Sequence, residues 1–127
     1  MEKVPSAAAA GEGGETEQGA GTVLVLGSGL LLLILCAAVL LLLQSAVGAS
    51  RAATAADLAA LAAADTVREL RSGEPCAVAA EVAGRNGAVL ASCTVDTGER
   101  TVQVETRVPV PLLPQPATGH ARAGPPP

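Results

Sequence analysis

The 127-residue chain contains no phenylalanine, tyrosine or tryptophan. Aromatic side chains bury the most area per residue and dominate most cores and interfaces. A domain without them must pack Ala, Val and Leu, and it buries little per residue. It is expected to be marginal unless a covalent staple or an assembly supports it. The same lack removes any stacking platform for bases. Basic residues are not clustered and the net charge is −4, so no footprint for nucleic acid exists. Histidine is nearly missing too. His120, the single one, lies in a Pro/Gly-rich stretch where nothing in the sequence positions it as a general base. Gly11 to Gly14 precede no regular element, so they do not form a phosphate loop. Asp57 and Glu69 stand alone and not as a carboxylate pair. The sequence therefore assigns no catalytic, cofactor-binding or metal-binding residue, and no cofactor is expected.

What is present is concentrated. Thr22 to Leu43 reads TVLVLGSGLLLLILCAAVLLLL, without a charge. Its 22 residues, at about 1.5 Å rise each, match a hydrocarbon core of about 30 Å. A transmembrane helix over 22–43 is expected, in contact with membrane lipid. A cleaved secretory signal is the rival, with Ala46-Val47-Gly48 as a small-residue exit. Its n-region would be acidic and its apolar core long, unlike a typical signal. Residues 1–21, rich in Gly, Ala and Glu, read as a disordered acidic lead-in. Arg51, the nearest basic residue, leans weakly towards a cytoplasmic C-terminus. The cysteines argue the opposite orientation and carry more weight. Cys36 falls inside the apolar run, which leaves Cys76 and Cys93 as one pair suited to a disulfide in an oxidising compartment. Two free thiols are the alternative; a metal site lacks further ligands. The expected location is the cell membrane, single-pass, with the C-terminal region extracytoplasmic.

Beyond the apolar run, residues 44–71 are Ala-rich and free of proline, so the helix is expected to continue through them as a thin, smooth rod. Such a surface can pack closely against other helices. Val47, Thr54, Leu58, Leu61 and Asp65 trace helical spacings, with Leu58 and Leu61 as the clearest apolar pair. Asp57, Asp65, Arg68, Glu69 and Arg71 are expected to face solvent. Ser72-Gly73 would end the helix. Pro75 suits the first turn of a second helix through CAVAAEVAGRN, stopped by Gly87. AVLASCTV and RTVQVETRV then flank the turn Asp96-Thr97-Gly98-Glu99 and read as a β-hairpin, with Val102, Val104, Thr106 and Val108 on one face. Residues 72–108 thus form a small helix-plus-hairpin ectodomain, and a Cys76–Cys93 bridge would clip helix to hairpin. The Pro-rich tail, 109–127, is expected to be extended or disordered, with Leu112 and Leu113 against the hairpin. ATGHARA is compatible with a short edge strand, which is not counted in the expected fold. The fold class is membrane-anchored α+β.

Several of these stretches together resemble a known family. Gly19-Ala20-Gly21-Thr22-Val23-Leu24 opening an apolar helix is similar to the start of TadE/TadG-like proteins of Flp (tight-adherence, Tad) pilus systems. The run from Ala52 to Ala64, AATAADLAALAAA, resembles the Ala-rich run that follows their membrane helix. Cys76, Asn86-Gly87-Ala88 and Ser92-Cys93-Thr94-Val95 look like the short actinobacterial members encoded near secretion and helicase genes. The resemblance spans residues 17 to 108. It implies a pseudopilin-like, non-enzymatic subunit, anchored by its N-terminal helix, that works with other Tad/Flp pilus or secretion components. Self-association through the long helix is a further expected mode. In the family a prepilin-type peptidase cuts before the helix and a Glu sits five residues past the cut; with a cut after Gly21 that position is Leu26. Two other functions fit the residues: a stand-alone membrane-anchored cell-envelope interaction module, or a small secreted protein after signal cleavage.

Overall fold

The computed structural model describes residues 15–126. Helix α1 runs Glu15–Val67 and helix α2 runs Pro75–Arg85. Three strands follow: β1 (Val89–Asp96), β2 (Thr101–Val108) and β3 (Ala117–Ala123). The chain divides into one unit ending at Leu40 and a second from Leu41 to the C-terminus. Helix α1 starts earlier than expected, within the stretch read as a disordered lead-in; residues 1–14 lie outside the described residues.

In the first unit α1 carries the apolar run, and its large side chains are exposed. Leu, Ile and Val from Val23 to Leu40 are between 53% and 72% accessible. This is the one helix, among the described residues, long and apolar enough to cross a membrane.

The second unit is an α+β domain whose antiparallel sheet has the order β1-β2-β3. The hairpin, the second helix and the inward face of β2 follow the sequence expectation. Val102, Val104, Thr106 and Val108 are all buried. The third strand is a correction: ATGHARA pairs along β2 from Val102↔Ala123 to Val108↔Ala117. Its inward positions are Ala117, Gly119, Ala121 and Ala123, too small to show as a hydrophobic alternation.

Small residues on β3 meet small residues on α1. Ala52, Ala55, Ala56, Ala59, Ala60 and Ala63 are essentially inaccessible and form one core with Val102, Val104, Val108, Ala79 and Ala83. A Cβ built on Gly119 would lie 2.2 Å from the Ala52 carbonyl oxygen and 2.7 Å from the Ala53 nitrogen. Only glycine permits that approach of strand to helix backbone. Thr106, fully buried on β2, donates its hydroxyl to the Ala52 carbonyl at 2.6 Å, which satisfies the group and ties sheet to helix. The Ala-rich segment therefore packs on a sheet of its own chain. Leu58 and Leu61, the apolar pair legible in sequence, face outward at 42% and 56% accessibility. Asp57, Asp65, Arg68, Glu69 and Arg71 are exposed, as expected.

Helix α1 ends at Val67, ahead of Ser72-Gly73. Glu69 adopts φ 62°, its N–H bonds to the Thr66 carbonyl at 3.0 Å, and the Leu70 N–H bonds to the Asp65 carbonyl at 2.9 Å. That is a Schellman cap with glutamate where glycine is usual. Helix α2 ends in the same motif with the expected Gly87, φ 75°. Its start is capped by Glu74, whose carboxylate accepts from the Ala77 N–H at 2.7 Å.

Candidate functional site

The candidate functional features among the described residues are the apolar helix, the disulfide and the open sheet face. The disulfide depends on a fault in β1. The strand register shifts between Leu90 and Ser92, a β-bulge at Ala91. Leu90, Cys93 and Val95 all turn inward and are partly buried, while Ala91 and Ser92 both face out. In an unbroken strand, Leu90 and Cys93 would lie on opposite faces, because side chains alternate with period two. The bulge resets the phase and aims Cys93 at the helix layer. Cys76, in the first turn of α2, sits with its Cα 5.8 Å from that of Cys93, and the two are joined by a disulfide. Cys36, in the apolar run, is free and exposed.

The outward face of the sheet carries the polar groups. The register aligns Ser92, Glu105 and His120 across β1, β2 and β3. His120 Nε2 lies 3.4 Å from Glu105 Oε2, and Arg107 reaches the other oxygen at 3.7 Å. Nothing in the sequence positions His120; the fold sets it in β3 beside the Glu105 carboxylate. Serine, histidine and glutamate in one row invite a test against the nucleophile–base arrangement. A catalytic triad needs histidine between serine and acid. Here Glu105 occupies the middle strand. Ser92 and His120 are two strand spacings apart, about 9.6 Å, beyond hydrogen-bond reach. The row is a surface contact of Glu105 with His120 across the strands and with Arg107 along its own strand. Arg122 and Glu99 form a second exposed pair at 2.8 Å. Among the described residues, no cluster of three His, Cys, Asp or Glu is arranged to hold a metal ion.

At the exit of the apolar run, Gly48 is buried. A Cβ there would meet Val110 Cγ2 at 2.7 Å and Ala117 Cβ at 3.3 Å. Val110 is buried at the start of the Pro-rich stretch. Leu112, expected against the hairpin with Leu113, is instead 84% accessible, and Leu113 is partly covered.

Comparison with protein-family models, with curated proteins and with solved structures finds no match for this chain.

Proposed function

We propose that this protein is a non-enzymatic, membrane-anchored subunit of a TadE-like, pilin-related assembly, with its disulfide-bonded domain outside the cytoplasm. The observation that carries the membrane reading is the exposure of the apolar run. At roughly 2 kcal/mol for each large aliphatic left in water, the segment from Val23 to Leu43 would cost on the order of 30 kcal/mol outside an apolar phase. Lipid removes the cost.

Three further features support the pilin-related part of the reading. A single helix, Glu15–Val67, supplies both the apolar run and the buried Ala face of the domain. The disulfide suits an oxidising compartment. The element order, helix, helix, then antiparallel strands, accords with the resemblance in the Ala-rich run and around the cysteines. The exposed Leu58 and Leu61 favour a second reading, an envelope interaction module that presents this helix face to a partner. Against a secreted product, cleavage after Gly48 would strip from the domain a residue buried under Val110 and Ala117.

Cell fractionation with N-terminal sequencing and affinity purification from crosslinked cells tests these readings together. The expected result is a carbonate-resistant membrane protein that retains Thr22–Leu43 and copurifies with pilus or secretion components. A membrane protein without such partners would favour the interaction module. A soluble protein beginning near Ala49 would overturn the anchored reading.

A further inference from the structure

We propose that the Pro111–Leu112 turn is a second membrane contact, with Leu112 seated at the boundary between lipid headgroups and acyl chains beside the exit of helix α1. This inference rests on the membrane reading above and adds a site to it.

The turn's geometry is the first argument. The Leu113 N–H bonds to the Val110 carbonyl at 3.2 Å, with Pro111 and Leu112 between them. Proline fixes its own φ near −65°, and Leu112 has φ 68°. That is the pattern of a type II turn, whose third position is suited to glycine. Leu112 is thus an unfavourable residue for its backbone, and at 84% accessibility it is also the most exposed large apolar residue described. Neither folding nor solubility accounts for a leucine there. Backbone strain that the fold does not require points to a role outside it.

The second argument is position. Val110 packs on Gly48, and Val110 and Leu113 line a groove with Ser45 and Ala49. Ser45 and Gly48 are two and five residues past Leu43, or about 3 and 7.5 Å along the helix. The polar layer on each side of a bilayer is about 5–8 Å thick. The turn therefore lies against the stretch of α1 that crosses this layer.

The third argument is charge. From Thr22 to Ser50 the helix carries no charged residue, although the apolar run stops at Leu43; Arg51 is the first. From Val108 to Gly119 the chain is equally free of charge. The segments that pack together, around residues 45–49 and 110–118, are both uncharged. The charges nearest these stretches lie elsewhere: Arg107 and Glu105 on the outward sheet face, Arg122 and Glu99 towards the far turn, and those of the helices from Arg51 onward. A chain with no Trp or Tyr to mark the interface has a leucine turn in that place.

The absence of tryptophan supplies the test. Three full-length variants, Leu112→Trp, Val39→Trp and Gln103→Trp, each carry one fluorophore. They are reconstituted into vesicles of phosphatidylcholine and phosphatidylglycerol, with and without bromine on the upper acyl carbons. Leu112→Trp is expected to show blue-shifted emission and to lose about half its intensity to the brominated lipid, as a side chain 5–10 Å into the interface would. Gln103→Trp, on the open sheet face, should show neither effect. If Val39→Trp is quenched and Leu112→Trp is not, the second contact is wrong and the anchor stands. If neither is quenched, the membrane reading fails with it. Blue-shifted emission from Leu112→Trp that disappears on dilution of protein in lipid, without quenching, would assign the turn to a second copy and overturn the proposal. Thermal unfolding of each variant matching the parent shows that the fold is kept.

Discussion

Between Val23 and Leu40 helix α1 exposes its leucines and valines; between Ala52 and Ala63 it buries every alanine except Ala53. Water-soluble helices do the opposite on both counts, hiding bulk and tolerating alanine at the surface. The contrast shows what each region is matched to. Bulk without a protein partner needs an apolar solvent, while small side chains without bulk need a neighbour that comes very close. β3 supplies that neighbour, with Gly119 against the Ala52 carbonyl and alanines on either side. A methyl group buried contributes only about 0.8 kcal/mol, so the domain gains from many close contacts and no large ones.

The largest test is to charge the exposed region. Fifteen aliphatic residues at about −0.5 kcal/mol each give the apolar run an insertion preference of roughly 7 kcal/mol. Replacing Leu31 and Leu35 together with arginine removes about 1 kcal/mol and adds about 6, close to cancelling it. The double variant should leave the carbonate-resistant membrane fraction. Retention at the parental level would show that the run is held by something other than lipid.

Next in size is the staple on the buried region. The Cys76–Cys93 bridge closes a sequence separation of 17 residues. In the chain-entropy model that is worth about 3 kcal/mol, a large share of the stability of an aromatic-free domain. Cys76→Ser with Cys93→Ser should lower the denaturant midpoint accordingly, and the protein in reductant should behave alike. An unchanged midpoint would mean that the alanine core is self-sufficient.

Reversing the size rule comes third. Ala59 is fully buried against the sheet, so Ala59→Leu should destabilise the domain by about 2 kcal/mol through overpacking. The reciprocal Leu33→Ala, in the exposed run, should leave domain unfolding unchanged. Equal effects from the two, measured by denaturant titration in detergent micelles, would erase the distinction between the regions.

These results bear on what the sequence could reveal. The apolar run, the second helix, the hairpin and the cysteine pair were legible because each carries a strong local signal: length, proline and glycine at helix ends, valine alternation, parity of thiols. The third strand was not, since A-T-G-H-A-R-A alternates small with polar and hydrophobicity scales pass over alanine and glycine. Leu58 and Leu61 were the clearest apolar pair in the sequence, yet both face outward; the smooth alanine surface does pack closely, but on a sheet of its own chain. The Ala91 bulge had no local signature, yet it decides that Cys93 faces inward. His120 looked idle in a tail because its partner, Glu105, is brought to it only by the pairing of β2 with β3.

The smallest effect concerns the two helix ends. Both α1 and α2 close with the same pair of bonds around a left-handed residue, Glu69 in one and Gly87 in the other. A side chain with a Cβ in that conformation costs about 1 kcal/mol relative to glycine. Sequence reading placed the first stop at Gly73 because it looked for a glycine, and the structure stops the helix at a glutamate. Glu69→Gly should therefore stabilise the domain by somewhat less than 1 kcal/mol, since glycine also loosens the unfolded chain. Gly87→Ala should destabilise it by about 1 kcal/mol. Glu69 is exposed and, among the described residues, its side chain makes no hydrogen bond or ion pair, so its loss removes no contact that could mask the backbone gain. Thermal unfolding of the two variants side by side reads the difference directly. Opposite shifts identify Glu69 as a strained cap, and a fall in melting temperature for Glu69→Gly would mean that its side chain contributes something the cap geometry does not explain.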